Sequence, residues 1–166
     1  MNQKVDIQKI KSDAENLFDQ GHYFCSEAIV ASIRDNMDPS MPEALIAAAS
    51  GFPIGVGRAK CMCGAVTGAV MCLGYFFGRT EPTTPDDPKS VNTLKLAYEI
   101  QNDFRQNHNG VLCCSVHTRG MDMASKERKD QCVAFTGEMA ARAAEIIARE
   151  LNYKVVDLVE VQDEAI

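Results

Sequence analysis

The stretch CMCGAVTGAVMCLGYFFG, residues 61–78, sets three cysteines, Cys61, Cys63 and Cys72, among small and apolar residues. Gly64 and Gly68 are four apart and Cys72 lies four further on, so on a helix they share one face. With no side chain at the glycines, another backbone or a compact cofactor can come very close there. The spacing predicts a helix over 63–77 with a Gly/Ala/Cys-rich face, at the centre of the fold. The segment GFPIGVGR, residues 51–58, leads into it and places Cys63 at the helix N-terminus. Free backbone N–H groups and the positive end of the helix dipole stabilise a thiolate at such a place, which suits a metal ligand or a reactive thiol. The plainer alternative is a tightly packed core helix that happens to be rich in cysteine.

Outward from this stretch, the composition speaks for an all-α domain. The chain has 166 residues, 46% of them apolar and 7% aromatic, with no Trp. Helix formers are plentiful and apolar β-branched runs are few. The net charge is −6 with no basic stripe, which argues against nucleic-acid binding. No run is long enough to cross a bilayer, and the N-terminal MNQKVDIQKIKSDAENLF has no apolar core of a signal peptide. A cytoplasmic location is expected. Seven cysteines at irregular spacing do not read as a disulfide framework, leaving buried thiols, metal ligands or redox thiols.

Periodicity predicts about six helices in a single-domain bundle spanning 1–154, followed by an acidic tail, 155–166. Ile7, Ile10, Ala14, Leu17 and Phe18 mark the first helix within 3–20, and Gly21 stops it. Phe24, Ala28, Ile29 and Ile33 mark the second, with Cys25 in its first turn and His22 just upstream. Ser40 and Glu43 have capping-box spacing for a third, Ala-rich helix, 41–50, expected to be buried. GFPIGVGR is no phosphate-binding loop, since neither G-K-[ST] nor G-x-G-x-x-G after a strand is present. It reads as a tight connection presenting backbone amides, or as a plain turn. Asp87 and Pro88 start the next helix, whose expected face is Leu94, Ala97, Gln101 and Phe104, ending near Asn107. Cys113 and Cys114 follow in a loop, with His117 three residues on. Ser125 caps a last helix, 126–150, with Cys132, Phe135, Met139, Ala143 and Ile146 on one stripe. No sheet is expected, although Val155 to Val161 has strand propensity.

Cys25, Cys63 and Cys132 thus fall in the first or second turn of separate helices, and Cys113 and Cys114 between helices. Converging helix N-termini would offset the charge of clustered thiolates. Four thiolates can hold tetrahedral Zn²⁺ or an iron–sulfur cluster, and spacing does not decide between them because no C-x-x-C pair is present. The pieces FCSEAI at Cys25, CGAVTGA at Cys63, the pair Cys113–Cys114 and KDQCVAFTGEMA at Cys132 resemble, in this order, the redox-active family named for its C–GCAxxG–C–C signature. The resemblance runs from about residue 20 to 150 and implies a helical domain, four shared cysteines and a redox role. Carried over one at a time, the cysteines are Cys25, Cys63, Cys114 and Cys132. Ser115 and His117 stand where the family's third segment commonly has Arg and Leu, so Cys113 stays open as a substitute for Cys114. The domain also looks like the iron–sulfur part of a split-Soret cytochrome, but without C-x-x-C-H no covalent haem is expected.

The leading functional expectation is an iron–sulfur electron-transfer protein with Cys25, Cys63, Cys114 and Cys132 as ligands. Gly64 and Gly68 would leave room for the inorganic core, and amides from Gly55 to Gly64 would face its sulfurs. Cys72, about 13 Å along the helix from Cys63, is too far to join. The alternatives are a thiol–disulfide oxidoreductase using the same cysteines, a zinc-binding structural or regulatory protein, and a helical interaction module with buried thiols. Enzymatic activity is open. A redox partner protein and a symmetric homodimer are expected.

Overall fold

Asp6 accepts the Lys9 N–H at 2.9 Å and starts α1 (Ile7–Asp19), which buries Ile7, Ile10 and Ala14 and ends at Gly21 with φ +72°. The computed structural model describes residues 3–156. Six further helices follow among these residues: α2 (Cys25–Met37), α3 (Ala44–Ala49), α4 (Gly64–Phe77), α5 (Pro88–Asn107), α6 (Cys114–His117) and α7 (Lys126–Glu150). The all-α class and the bundle of about six helices hold, with α6 as the short extra one. The expectation of no sheet is corrected. β1 (Lys4–Val5) and β2 (Lys154–Val155) pair in parallel, because β-branched Val5 is buried against the core while the pair closes over it. Of the expected acidic tail, residues 157–166 lie outside the described residues.

The glycine-rich helix is central, with α4 packing against α2, α5 and α7. A Cβ on Gly68 would lie 2.7 Å from Ser26 Cα and 2.9 Å from Ser26 O, so only glycine lets α4 and α2 meet backbone to backbone. The buried Ser26 hydroxyl donates to Ala49 O at 2.9 Å and ties α2 to the end of α3. Ser32 does the same toward α1, donating to Ile10 O at 2.7 Å. Between these polar stitches Ile29, Ile33, Leu73, Met139, Ile146 and Ile147 are fully buried. Each contributes roughly 1.5–3 kcal/mol relative to exposure.

Two faces differ from the sequence expectation. On α3 only Ala49 is buried, because this six-residue helix lies on the surface and packs mainly on α2. Its expected capping box does not form: Ser40 bonds Asp38 Oδ1 through both N–H and hydroxyl, and Glu43 reaches toward Arg34. On α5 the buried line is Leu96, Ile100 and Phe104, which leaves Leu94 exposed. Thr93 donates to Phe77 O at 2.8 Å and fixes that rotation against α4. Asp87, by contrast, caps α5 through Lys89 N–H and Ser90 N–H, and Ser125 caps α7 through Arg128 N–H. No helix among the described residues is long and apolar enough to cross a membrane.

Candidate functional site

Four cysteines from four chain segments line one cavity of about 570 Å³: Cys25, Cys63, Cys114 and Cys132. Cys25 is the first residue of α2, Cys63 the N-cap of α4, Cys114 the first residue of α6, and Cys132 lies in the second turn of α7. Cys61, Cys72 and Cys113 do not line it. Cys72 is buried two turns into α4, whereas Cys61 and Cys113 are exposed.

Each sulfur has a local reason for its place. A Cβ on Gly64 would lie 2.5 Å from Cys25 Sγ, so the glycine leaves the space that the sulfur occupies. Gly68 makes a different contribution: it lies against Ser26 backbone and sets the helix approach, away from the cavity lining. The choice between Cys113 and Cys114 follows from a short antiparallel ribbon. Met62 stands opposite Cys113, with Cys63 N–H donating to Leu112 O at 2.8 Å and Cys114 N–H to Cys61 O at 2.7 Å. Side chains alternate along a ribbon, so Cys63 and Cys114 turn to one face and Cys113 to the other.

The connection 51–63 has an unusual backbone. Ile54, Gly55, Val56, Gly57 and Arg58 all have positive φ, between 55° and 69°, and Lys60 follows at 59°. This is a left-handed turn in which four residues carry side chains, at a cost of about 1–2 kcal/mol each. The turn is closed by Val56 N–H to Phe52 O, Lys60 N–H to Ile54 O and Cys61 N–H to Gly55 O. One result is that Ile54 N–H points at Cys25, joining Ser26 N–H. Ala65 and Val66 N–H groups point at Cys63. The amide donors therefore flank the 55–64 stretch rather than come from within it.

Burial dominates the protonation of the four thiols. It pushes Cys25 far above the ordinary thiol value, with Cys63 and Cys132 adding to the rise and the two amides opposing it. Cys63 is pushed up to about 11, again chiefly by burial, against the amides of α4. Cys114 and Cys132 are raised by burial as well, while Arg128 beside both favours their thiolates. The helix N-termini thus lower these thiols less than burial raises them. Without a bound cation the set is held protonated at neutral pH, the opposite of what a nucleophilic thiol needs. A metal ion would displace those protons.

Among the described residues no group of three or more His, Cys, Asp or Glu side chains is closed up enough to hold a metal ion. The thiols stand around the cavity instead of meeting at a point. By chemistry the donor set fits a thiophilic group, with four soft sulfurs and inward amides. His117 is not part of it. Its ring packs on Phe104, His108 and Phe135, and a ring nitrogen lies 3.2 Å from Val111 O. Two lining residues had no signal in the cysteine pattern, Arg128 and Thr118. Arg128 lies four before Cys132 and Thr118 four after Cys114, one helical turn away in each case.

The family described as "Putative redox-active protein (C_GCAxxG_C_C)" matches residues 23–146. No curated protein and no solved structure matches the chain.

Proposed function

The chain belongs to the C_GCAxxG_C_C family, and from that premise we propose that it is an electron-transfer protein holding an iron–sulfur cluster on Cys25, Cys63, Cys114 and Cys132. The observation that carries the reading is the convergence of four thiols from four segments on one cavity of about 570 Å³. A cluster would supply one-electron chemistry at these thiolates. The chain's own groups have definable tasks. Ser26 and Ile54 amides donate to the Cys25 sulfur and Ala65 and Val66 amides to the Cys63 sulfur, which favours the more negative, reduced state of the site. Arg128 balances charge at Cys114 and Cys132. Gly64 keeps the Cys25 sulfur at the cavity wall.

Two alternatives fit less well. A lone zinc ion needs four sulfurs near 2.3 Å from one point, and no three metal-ligating side chains among the described residues are closed up enough to hold one. Disulfide exchange needs an accessible thiolate, and burial keeps these thiols protonated.

The test is anaerobic purification followed by visible absorption with iron, zinc and sulfide analysis. The expected result is iron with matching acid-labile sulfide and a visible band that dithionite bleaches. Ser replacement at Cys25, Cys63, Cys114 or Cys132 should remove the iron, while Cys61→Ser, Cys72→Ser and Cys113→Ser should keep it. Zinc without sulfide, or iron lost with Cys72→Ser and kept with Cys132→Ser, would refute the assignment.

A further inference from the structure

Cys61, Cys72 and Cys113 stay outside the cavity, yet Cys61 stands across a ribbon from one of its thiols. Met62 lies opposite Cys113, so the residue before Met62 faces the residue after Cys113. These two are Cys61 and Cys114, and Cys114 N–H donates to Cys61 O at 2.7 Å. Residues that face each other across such a bond have Cα atoms about 5.5 Å apart and side chains on one side of the ribbon. Disulfides span Cα separations of about 4.4–6.8 Å, most of them at about 5.5–6 Å.

The neighbouring thiols are less well placed to pair with Cys61. Cys113 turns to the opposite side of the ribbon, with Met62. Cys63 lies two residues along the same strand, about 6.6 Å away, at the long end of the range. Cys72 is buried inside α4. Cys61 is also the member of the pair that a reagent reaches, being exposed where Cys114 is 8% exposed. Its sulfur lies 3.9 Å from Ala59 O, a weak bond that a rotation about χ1 gives up.

We infer that Cys61 and Cys114 are a reversible redox pair, closed to a disulfide by a low-molecular-weight disulfide, and that closure takes Cys114 out of the four-thiol set. The Cys61 thiolate attacks one sulfur of glutathione disulfide, forms a mixed disulfide and releases the first glutathione as thiolate. The Cys114 thiolate then attacks the Cys61 sulfur and releases the second. Each departing thiolate takes up a proton in place of the one that the attacking thiol gave to solvent. Two protein thiols lose two electrons and two protons, and one glutathione disulfide becomes two glutathione thiols. The second step is intramolecular, which favours it over a stable adduct at Cys61. The bond closes only while the Cys114 sulfur carries no metal, so it marks an emptied site, and a dithiol reductant reopens it. The inference holds whichever group the four thiols bind.

The experiment uses the full chain, reduced, stripped of metal by a chelator and treated with glutathione disulfide at about pH 8. Alkylation, peptide mapping and intact mass read the products. The expected result is a Cys61–Cys114 linked peptide, reopened by dithiothreitol, with glutathione retained on exposed Cys113. Cys113→Ser should link as the parent does, with the loss of two hydrogens and no glutathione. Cys114→Ser should leave glutathione on Cys61. Cys61→Ser, at an exposed position that spares the core, should leave Cys114 unlinked. A link from Cys61 to Cys63 or Cys113, glutathione retained on Cys61 in the parent, or linking that needs urea would overturn the inference. Iron and sulfide reconstitution of the reduced sample is read separately. Failure there removes the iron–sulfur reading and leaves the linkage standing.

Discussion

Three glycines on α4 should respond to one methyl group with different outcomes. Gly68→Ala would place a Cβ 2.7 Å from Ser26 Cα and 2.9 Å from Ser26 O, where ordinary contact begins at 3.4 Å. Both partners are backbone, so no rotamer change relieves the clash and α4 has to move off α2 by about 0.7 Å. Overpacking of this kind costs about 1–3 kcal/mol. The gain in helix propensity from Gly to Ala, about 1 kcal/mol, offsets part of it. The expected net loss is about 0–2 kcal/mol, a fall in Tm of up to about 8 °C for a chain of this length. Gly74→Ala meets nothing within 4 Å and keeps only the propensity gain, so its Tm should rise by about 2–4 °C. Gly64→Ala meets the Cys25 sulfur first and then Phe52 O at 3.1 Å and Pro53 Cα at 3.2 Å, so that sulfur is displaced at a smaller loss of stability than Gly68→Ala brings. Thermal melts followed by far-UV circular dichroism, with alkylation of Cys25 read by mass spectrometry, separate the three. A Gly68→Ala protein that melts above the parent would refute the close approach of α2 and α4.

Other outcomes follow from the same geometry. In metal-free protein at about pH 8, iodoacetamide should label exposed Cys61 and Cys113 first and Cys25, Cys63 and Cys72 last, since burial pushes Cys25 furthest, Cys63 up to about 11 and Cys72 up to about 12; peptide mapping of a time course would contradict this if Cys63 led. Cys72→Ser should lower stability by about 1–3 kcal/mol in urea melts, because a hydroxyl there is buried at 1% exposure without an assured partner, yet leave bound metal intact. The His117 ring is held below its ordinary 6.5, chiefly by burial and further by His108, against the pull of Val111 O. The unfolded imidazole therefore takes up a proton first as pH falls through 6.5, so stability present above that value declines toward the lower folded value. His117→Phe should flatten this decline in urea midpoints across the pH series, with the His108–Glu138 pair left in place; an unchanged slope would assign the acid sensitivity elsewhere.

How far the sequence reached depended on the kind of signal. Helix starts marked by Asp87 and Ser125 were legible because a side-chain cap is local. The face of α5 was not, since Leu94 and Leu96 are equally apolar and only the Thr93 bond to Phe77 O on another helix sets the rotation. The Ala run of α3 misled in the same way: alanine favours helix whether it is buried or exposed. At the site, the order of motifs pointed to Cys25, Cys63 and Cys132, but the orientation of Cys114 over Cys113 came from pairing with a strand fifty residues away. The left-handed turn had no readable signature. Ile54 and Val56 are β-branched and ordinarily avoid positive φ, so their sequence argued against the conformation they adopt.

That turn also fixes where the molecule should give way first. Ile54, Val56, Arg58 and Lys60 together hold about 4–8 kcal/mol of backbone cost, a sum comparable with the whole stability of many domains, about 5–15 kcal/mol. The bundle behind them has no such debt. Opening therefore separates into two levels, a low-energy release of residues 54–60 and a much rarer unfolding of α2, α4 and α7. The amides of the turn would exchange with solvent long before those of the helices. The wall of the cysteine cavity is thus also its door, able to swing without disturbing the frame.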